Sequence, residues 1–193
     1  MRRAYDYYPT TEANAVWGLL TQTPVQFSGD VLECCSGQHH ITRVLQQSSL
    51  FTRVWTNDIQ STFDADFHEN VTLSSAWAQL PEVDWVITNP PFSHALPILQ
   101  QALSHARLGV ALYLRLSFWE PTFKSRARHA HHRGPFLRDH CPTGFMPLSR
   151  ISHTDDGHTD SSTCAWFVWE KQTTRQWHHV LMLDQDYSLA EHT

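Results

Sequence analysis

The sequence predicts an α/β fold in which a mostly parallel sheet carries helices on both faces and is closed by a C-terminal antiparallel hairpin. Two observations predict this class. Up to about residue 116, short apolar runs alternate with stretches of helical spacing, as in repeated strand–helix–strand units. Beyond residue 133 the pattern changes, because prolines and glycines interrupt the chain before two further β-like runs.

The first strand is expected from Val31 to about Glu33, where a short apolar run follows a Gly-Asp turn. Residues 41–50 then have the spacing of a helix, and residues 51–57 form a second strand-like run with Asp58 just beyond its end. The order strand–helix–strand predicts one parallel βαβ unit over this part of the chain.

The same alternation continues through the middle of the chain. An apolar run at 83–88 predicts a third strand, residues 95–106 carry leucines on one helical face, and 109–116 read as a further buried strand. Near the C-terminus, two β-like runs at 163–169 and 177–183 are joined by a short turn. We expect these two runs to pair with each other as the closing hairpin.

Composition limits the class of protein. With 193 residues, 41% hydrophobic and 17% charged, residues 1–193 are expected to form a single domain with a substantial core. No apolar run approaches the ~18–20 residues of a membrane span, and no apolar signal-peptide core follows the first residues. We therefore expect a cytoplasmic protein that does not associate with a membrane.

The cysteines and histidines do not predict a metal site or a disulfide framework. The four cysteines lack the C-x-x-C spacing of a zinc site, so we expect reduced thiols. The histidines near the middle of the chain have irregular spacing and lie in a basic segment, which favours a surface or DNA-facing role over a bound metal. These residues are His129, His131, His132 and His140, next to Cys141.

The charge of the chain is unevenly distributed. The net charge is −5, yet residues 107–138 hold seven of the fourteen Lys and Arg residues and only one acid, Glu120. That segment carries +6 and the remainder −11. A basic stretch within an acidic protein is typical of a surface that faces phosphates, although scattered arginines on a solvated face would give the same count.

Three predicted strands end in polar residues, namely Glu33, Asp58 and Asn89. Ligands of open α/β sheets bind outside the carboxyl ends of the strands, so these side chains are expected at one edge. Gly37 follows Glu33 in an acid-x-x-x-Gly turn, where a ligand can approach the backbone closely. Asp58 lies where the second strand of a βαβ unit delivers a carboxylate to ribose hydroxyls.

The tetrapeptide Asn89-Pro90-Pro91-Phe92 directly follows the third strand. Two consecutive prolines cannot continue a hydrogen-bond ladder, so the chain turns rigidly at this point. The turn presents an amide side chain, a carbonyl without a neighbouring N–H and an aromatic ring. Such a group is suited to hold the amino group of a flat heterocycle, while a structural turn with a core Phe is the alternative.

Taken in order, these motifs resemble those of S-adenosylmethionine-dependent amino-methyltransferases, most closely the DNA adenine-N6 methyltransferases. The resemblance covers about residues 5–120. It includes Tyr8-Pro9-Thr10-Thr11-Glu12 as the cofactor-covering motif, Leu32-Glu33-Cys34-Cys35-Ser36-Gly37 as the cofactor loop, Asp58 as the ribose-binding acid, Asp66-Phe67 near the cofactor adenine, and the Asn-Pro-Pro-Phe catalytic motif.

This resemblance implies a Rossmann-like class I methyltransferase fold with S-adenosyl-L-methionine as cofactor and no metal. It implies that Asn89 and Pro90 hold the acceptor amine and that Phe92 stacks on the base. The residues that it places at the cofactor are Thr10, Thr11, Glu33, Cys34, Gly37, Asp58, Ile59, Asp66, Phe67 and Asn89.

The expected polymer substrate is DNA, as a duplex with a flipped base or as a single strand. Only residues 117–162 could form a DNA-facing insertion in so short a chain, so sequence specificity is expected to be short or relaxed. Arg115 would contact a phosphate or pair with an acidic residue, and Phe118 and Trp119 would line the binding site of the base. The remaining candidates for DNA contact are Lys124, Arg126 and Arg128.

The chain departs from the family pattern after the turn that follows the first strand. Family members often have a second glycine there, where this chain has Gln38-His39-His40.

Several alternatives for the function stay open. Cytosine-N4, RNA-base and protein glutamine methylation use related motifs, and a decayed enzyme would act only as a nucleic-acid-binding module. Cysteine-based cytosine-C5 chemistry is disfavoured, because it needs a Pro-Cys pair and Cys34 lies in the cofactor loop instead.

Overall fold

The computed structural model describes residues 13–120, 133–148 and 163–179. These residues form one seven-stranded sheet with helices on both faces. The strands are β1 (Gly29–Glu33), β2 (Phe51–Thr56), β3 (Trp85–Thr88), β4 (Gly109–Arg115), β5 (Gly144–Pro147), β6 (Cys164–Glu170) and β7 (Trp177–His178).

The helices connect these strands. They are α1 (Ala13–Thr21), α2 (His40–Gln47), α3 (Ser74–Trp77), α4 (Ala95–His105) and α5 (Arg133–Asp139), with 3₁₀ turns at Phe92–His94 and Leu116–Trp119. Among the helices of the described ranges, none has the length and apolar composition needed to span a membrane.

The sheet has the strand order β2-β1-β3-β4-β6-β5-β7. The four strands β2, β1, β3 and β4 run parallel, and β6 runs antiparallel to both of its neighbours, β4 and β5. The α/β sandwich expected from sequence is therefore confirmed, together with its antiparallel C-terminal part.

Alternate residues of the central strands supply two separate cores, as expected for a sheet that is buried on both faces. Val31 of β1 and Trp85 of β3 face the layer formed by α1 and α2. Their neighbours, Leu32 and Val86, face the other layer, to which α3, α4 and α5 contribute. The parallel strands are held rigidly between these layers, which fixes the positions of the loops at their carboxyl ends.

The predicted hairpin between the last two β-like runs is wrong in its pairing. Strand β5 lies between β6 and β7, and β7 runs parallel to β5 instead of antiparallel to β6. Gly144 leaves room for Trp177 in this arrangement, because a Cβ on Gly144 would lie 2.1 Å from the indole ring. Residues 180–183 of the second run lie outside the described residues.

Candidate functional site

The carboxyl ends of β1, β2 and β3 meet at one edge of the sheet, because the three strands are adjacent and parallel. Glu33 ends β1, Asp58 follows β2, and Asn89 follows β3. The three polar strand ends predicted from sequence are therefore brought together as expected. Hydrogen bonds between the connecting loops hold them at this edge.

Asn57 joins the loop after β1 to the loop after β2. Its side chain is fully buried, and its Nδ2 donates to the carbonyl oxygens of Cys34 at 3.0 Å and Glu69 at 3.1 Å. Its Oδ1 accepts from the Glu69 N–H at 2.8 Å. The Asn57 backbone adds two more bonds, donating to the Glu33 carbonyl and accepting from the Ser36 N–H, both at 3.0 Å.

Thr88 links the end of β3 to the same loop. Its hydroxyl is fully buried and accepts a hydrogen bond from the Cys35 N–H at 3.2 Å. Because Asn89 is the next residue, this bond fixes the start of the Asn-Pro-Pro-Phe tetrapeptide relative to the loop that follows β1.

Asp58 is buried and holds the acid–glycine turn from the other side. One of its carboxylate oxygens accepts from the Gly37 N–H at 2.9 Å, and the other accepts from the Gln60 N–H at 2.9 Å. Gly37 has φ +48°, a conformation that favours glycine. Ile59, the residue after Asp58, is 57% exposed, which leaves an apolar side chain at the surface beside the Asp58 carboxylate.

Glu33 lies beneath this turn and is almost completely buried. The hydroxyl of Thr42, on α2, donates a hydrogen bond to its carboxyl group. Burial raises the pKa of Glu33 to about 8 against the opposing effect of the Thr42 bonds, and the nearby Asp58 adds to the rise. Glu33 is therefore mostly protonated at neutral pH in the free protein.

Asp66 and Phe67 lie beside β2, in the loop that follows this strand. One carboxylate oxygen of Asp66 accepts from the backbone N–H and the hydroxyl of Thr56, at 2.9 and 2.8 Å. Phe67 pairs with Asn57 through an isolated parallel bridge, and its ring lies 5.9 Å from that of Trp55. Both residues thus fix the path of the chain around Asp58.

The tetrapeptide leaves the sheet between β1 and β4. Pro90 is buried, Asn89 and Phe92 are half-buried, and Phe92 begins a 3₁₀ turn that leads into α4. The guanidinium carbon of Arg115, at the end of β4, lies 4.6 Å from the centre of the Phe92 ring. One face of this ring is therefore supported by a cation from the neighbouring strand.

Aromatic and basic residues continue from the end of β4. Phe118 is buried, whereas Trp119 is 43% exposed and stacks on Phe167 with the ring centres 6.1 Å apart. The guanidinium carbon of Arg133 lies 5.3 Å from the centre of the Phe118 ring. This surface adjoins the tetrapeptide on the side away from Glu33 and Asp58.

Other predicted site residues lie outside the described residues. They are Thr10, Thr11, Lys124, Arg126 and Arg128, together with the three histidines His129, His131 and His132. Within the described ranges, no group of three or more His, Cys, Asp or Glu side chains could hold a metal ion.

The cysteines of the loop after β1 are suited to packing. Cys34 is buried, and its hydrogen bond to Cys35, together with burial, raises the pKa of the Cys35 thiol well above its usual value. A thiol of raised pKa is a poor nucleophile at neutral pH. Cys35 is therefore unsuited to nucleophilic catalysis.

Four residues that organise this edge were missed as site residues by the sequence reasoning: Asn57, Thr88, Thr42 and His39. Their partners lie in other loops or on another strand, so no short motif marks them. The one available signal was the position of Asn57 directly before Asp58, where an uncharged polar residue follows the strand.

Comparison with known proteins identifies the fold. No family model and no curated protein matches the chain. Solved structures do match: a protein described as a modification subunit of a type I restriction enzyme from Vibrio vulnificus has a TM-score of 0.61 at 10% identity over 91% of this chain. A type I restriction-modification methyltransferase subunit from Streptococcus thermophilus has a TM-score of 0.58 at 11% identity, also over 91%.

An O-methyltransferase from Bacillus cereus, solved with SAH, has a TM-score of 0.57 at 14% identity and covers 88% of this chain and 84% of its own. The fold is that of the Rossmann-like methyltransferases. This chain spans 47% of the length of each of the two restriction-system proteins. At these identities the likeness extends to the fold alone, so the chemistry must be argued from the site.

Replacing Asn57 by alanine should destabilise the fold by about 3 kcal/mol, because the buried carbonyl of Cys34 and the partly buried carbonyl and N–H of Glu69 would lose their partners. Asn70→Ala is the matched control: the side-chain oxygen of Asn70 accepts from the N–H and the hydroxyl of Thr72 in a local turn, and we expect a loss of about 1 kcal/mol. Urea unfolding measures both. Equal losses would contradict the role given to Asn57.

Glu33 should make the protein less stable as the pH rises. From the ordinary value of 4.5 to about 8, the unfolded chain ionises this carboxyl while the folded protein keeps it protonated. The free energy of unfolding therefore falls across this window, and Glu33 causes no further change with pH below or above it. The neutral variant Glu33→Gln removes the fall and should be the more stable protein at pH 8, by at most about 5 kcal/mol.

The matched control is Glu82→Gln, because the Glu82 side chain is 85% exposed and its loss removes the same formal charge. Urea unfolding followed by tryptophan fluorescence at pH 5, 6, 7 and 8 gives the comparison. If the curves of free energy against pH for Glu33→Gln and the unmodified protein run parallel, Glu33 does not titrate in this way.

Proposed function

We propose that the protein is an S-adenosylmethionine-dependent methyltransferase that methylates the exocyclic N6 of adenine in DNA. The observation that carries this proposal is the position of Asn89-Pro90-Pro91-Phe92 at the carboxyl end of β3, next to the loops that bear Glu33, Gly37 and Asp58. A rigid amide-and-carbonyl turn thereby lies beside a pocket edge suited to a nucleoside cofactor.

The described residues fit such a cofactor. The buried hydroxyl of Ser36 has no hydrogen-bond partner within the described ranges, although it lies in the acid–glycine loop. Each carboxylate oxygen of Asp58 accepts one hydrogen bond from a backbone N–H and can accept another, as a ribose diol requires. Exposed Ile59 offers an apolar surface for an adenine ring.

The tetrapeptide accounts for the choice of acceptor. S-adenosylmethionine supplies an electrophilic methyl group on its sulfonium when it is bound. An exocyclic amine is a poor nucleophile, because its lone pair is delocalised into the ring. Hydrogen bonds accepted by the Asn89 side-chain oxygen and the Pro90 carbonyl would favour a more sp³-like nitrogen, and its extra proton can leave to solvent after methyl transfer.

Phe92 and its neighbours fit the base itself. Arg115 lies over the Phe92 ring at 4.6 Å, so we place the stacked base on the opposite face of the ring. Stacking of a base on an aromatic side chain is worth ~1–3 kcal/mol, which offsets part of the cost of flipping it out of a duplex. The basic residues within 115–133 support a phosphate-bearing substrate over a protein amide, whereas Arg107 pairs with Asp84 and Arg138 with Asp139.

Asn89→Ala should lower the rate of methyl transfer at least ~100-fold, because the amine loses an oriented acceptor in the transition state. Binding of S-adenosylhomocysteine, measured by calorimetry, should change far less than the rate, since Asn89 is only one of the residues expected at the cofactor and Glu33, Gly37 and Asp58 are untouched. Asn89→Asp keeps an acceptor oxygen and should retain part of the activity. Transfer at the unmodified rate by Asn89→Ala would overturn the assignment.

The polymer is identified by offering DNA, RNA and protein in parallel with a tritium-labelled methyl donor. We expect label in DNA. Label in RNA or protein would instead support the corresponding alternative, and cofactor binding without transfer to any of the three would support a decayed nucleic-acid-binding module.

Arg115 gives a separate test of the base side. If Arg115 supports the Phe92 ring, Arg115→Gln should lower kcat/KM about tenfold. The slope of log DNA affinity against log salt concentration should then stay unchanged. A phosphate contact at Arg115 would instead reduce that slope by about one. Lys124→Gln is the comparison variant, because Lys124 is predicted from sequence to face DNA and its loss should reduce the slope.

A further inference from the structure

His39 occupies a backbone conformation that an L-residue rarely adopts. It directly precedes α2 with φ 63° and ψ 29°, in the left-handed region. Glycine adopts this conformation at no steric cost, whereas a residue with a Cβ is disfavoured there. A histidine at this position therefore needs compensating contacts, and its side chain shows where they are.

The imidazole of half-buried His39 contacts the loop that follows β2. Its Nε2 forms a hydrogen bond with the carbonyl oxygen of Asp64, and because a carbonyl can only accept, Nε2 carries the proton. Asp64 lies between Asp58 and Asp66, in the loop that follows β2. The side chain thus connects the N-terminus of α2 to the loop that carries the predicted ribose-binding acid.

The other ring nitrogen points towards α2. Nδ1 lies 3.4 Å from the hydroxyl of Thr42, which in turn donates to the buried carboxyl of Glu33. The His39 backbone N–H donates to the Ser36 carbonyl at 2.8 Å, so the turn itself is closed at the same point. His39 therefore contacts the loop after β2 through its side chain and the turn after β1 through its backbone.

We propose that His39 is a positioning residue for the cofactor site: its imidazole clamps the loop bearing Asp58 against the turn that follows Glu33. The inference rests on the proposed function for the identity of the ligand, whereas the clamp itself is a property of the free protein. Glycine at this position would keep the backbone path and lose the clamp. This accounts for a histidine in a conformation that favours glycine.

Three variants separate the two ring contacts. His39→Gly removes both while allowing the same φ. His39→Gln places its amide nitrogen near the position of Nε2 and can keep the bond to Asp64, whereas His39→Asn places polar atoms near Nδ1 and can keep only the Thr42 contact. The matched control is His105→Gln, because His105 on α4 makes the same type of bond, to the Pro81 carbonyl at 2.7 Å, away from the site.

The first readout is hydrogen exchange in the free protein. The Asp58 and Phe67 amides donate to backbone carbonyls of Phe67 and Thr56 across the loop that follows β2. In His39→Gly and His39→Asn these amides should exchange about tenfold faster, while amides of β3 and β4 stay unchanged. His39→Gln should restore most of the protection, and His105→Gln should leave the loop unaffected.

The second readout is the affinity for S-adenosylhomocysteine by calorimetry. We expect about tenfold weaker binding for His39→Gly, recovery by His39→Gln, and less than twofold change for His105→Gln. Unchanged loop exchange and unchanged affinity in His39→Gly would overturn the inference. If the unmodified protein does not bind S-adenosylhomocysteine, the proposed function fails instead, and loop exchange alone still decides whether His39 acts as a clamp.

Discussion

The buried amide of Asn57 is the interaction on which the candidate site most depends. It ties the turn after β1 to the loop after β2 through bonds to Cys34 and Glu69 at 2.8–3.1 Å. An amide in a dry environment is costly unless all of its donors and acceptors are used, so these bonds select one relative position of the two loops. Glu33, Gly37 and Asp58 take their places from that arrangement.

The tetrapeptide is positioned by a second constraint of the same kind. Thr88 accepts from the Cys35 N–H, and the two prolines that follow Asn89 prevent the chain from continuing the strand. Parallel strands at the centre of a sheet move little relative to one another, because both faces are packed. The groups proposed to hold the amine and the loop proposed to bind the cofactor are therefore carried on rigid elements, as oriented chemistry requires.

Sequence predicted the central sheet well, because residues such as Val31, Leu32 and Val86 form short apolar runs that only a doubly covered strand can bury. It missed β5, whose Gly144 and Pro147 resemble chain breakers, and therefore paired the last strands wrongly. It also missed Asn57, Thr88 and His39, since their roles depend on contacts across 12–53 positions of the chain. Local sequence patterns indicate burial and turns, whereas these contacts form only when the loops at the carboxyl edge of the sheet come together in the folded protein.

The central claim is that the rigid turn at the end of β3 holds the amino group of adenine in DNA. It is tested most directly by incubating the purified protein with isotope-labelled S-adenosylmethionine and DNA, and then identifying the methylated nucleosides by mass spectrometry. The account predicts labelled N6-methyladenine that disappears in the Asn89→Ala protein. Labelled N4-methylcytosine in its place, or a methylated base that persists in Asn89→Ala, would contradict it.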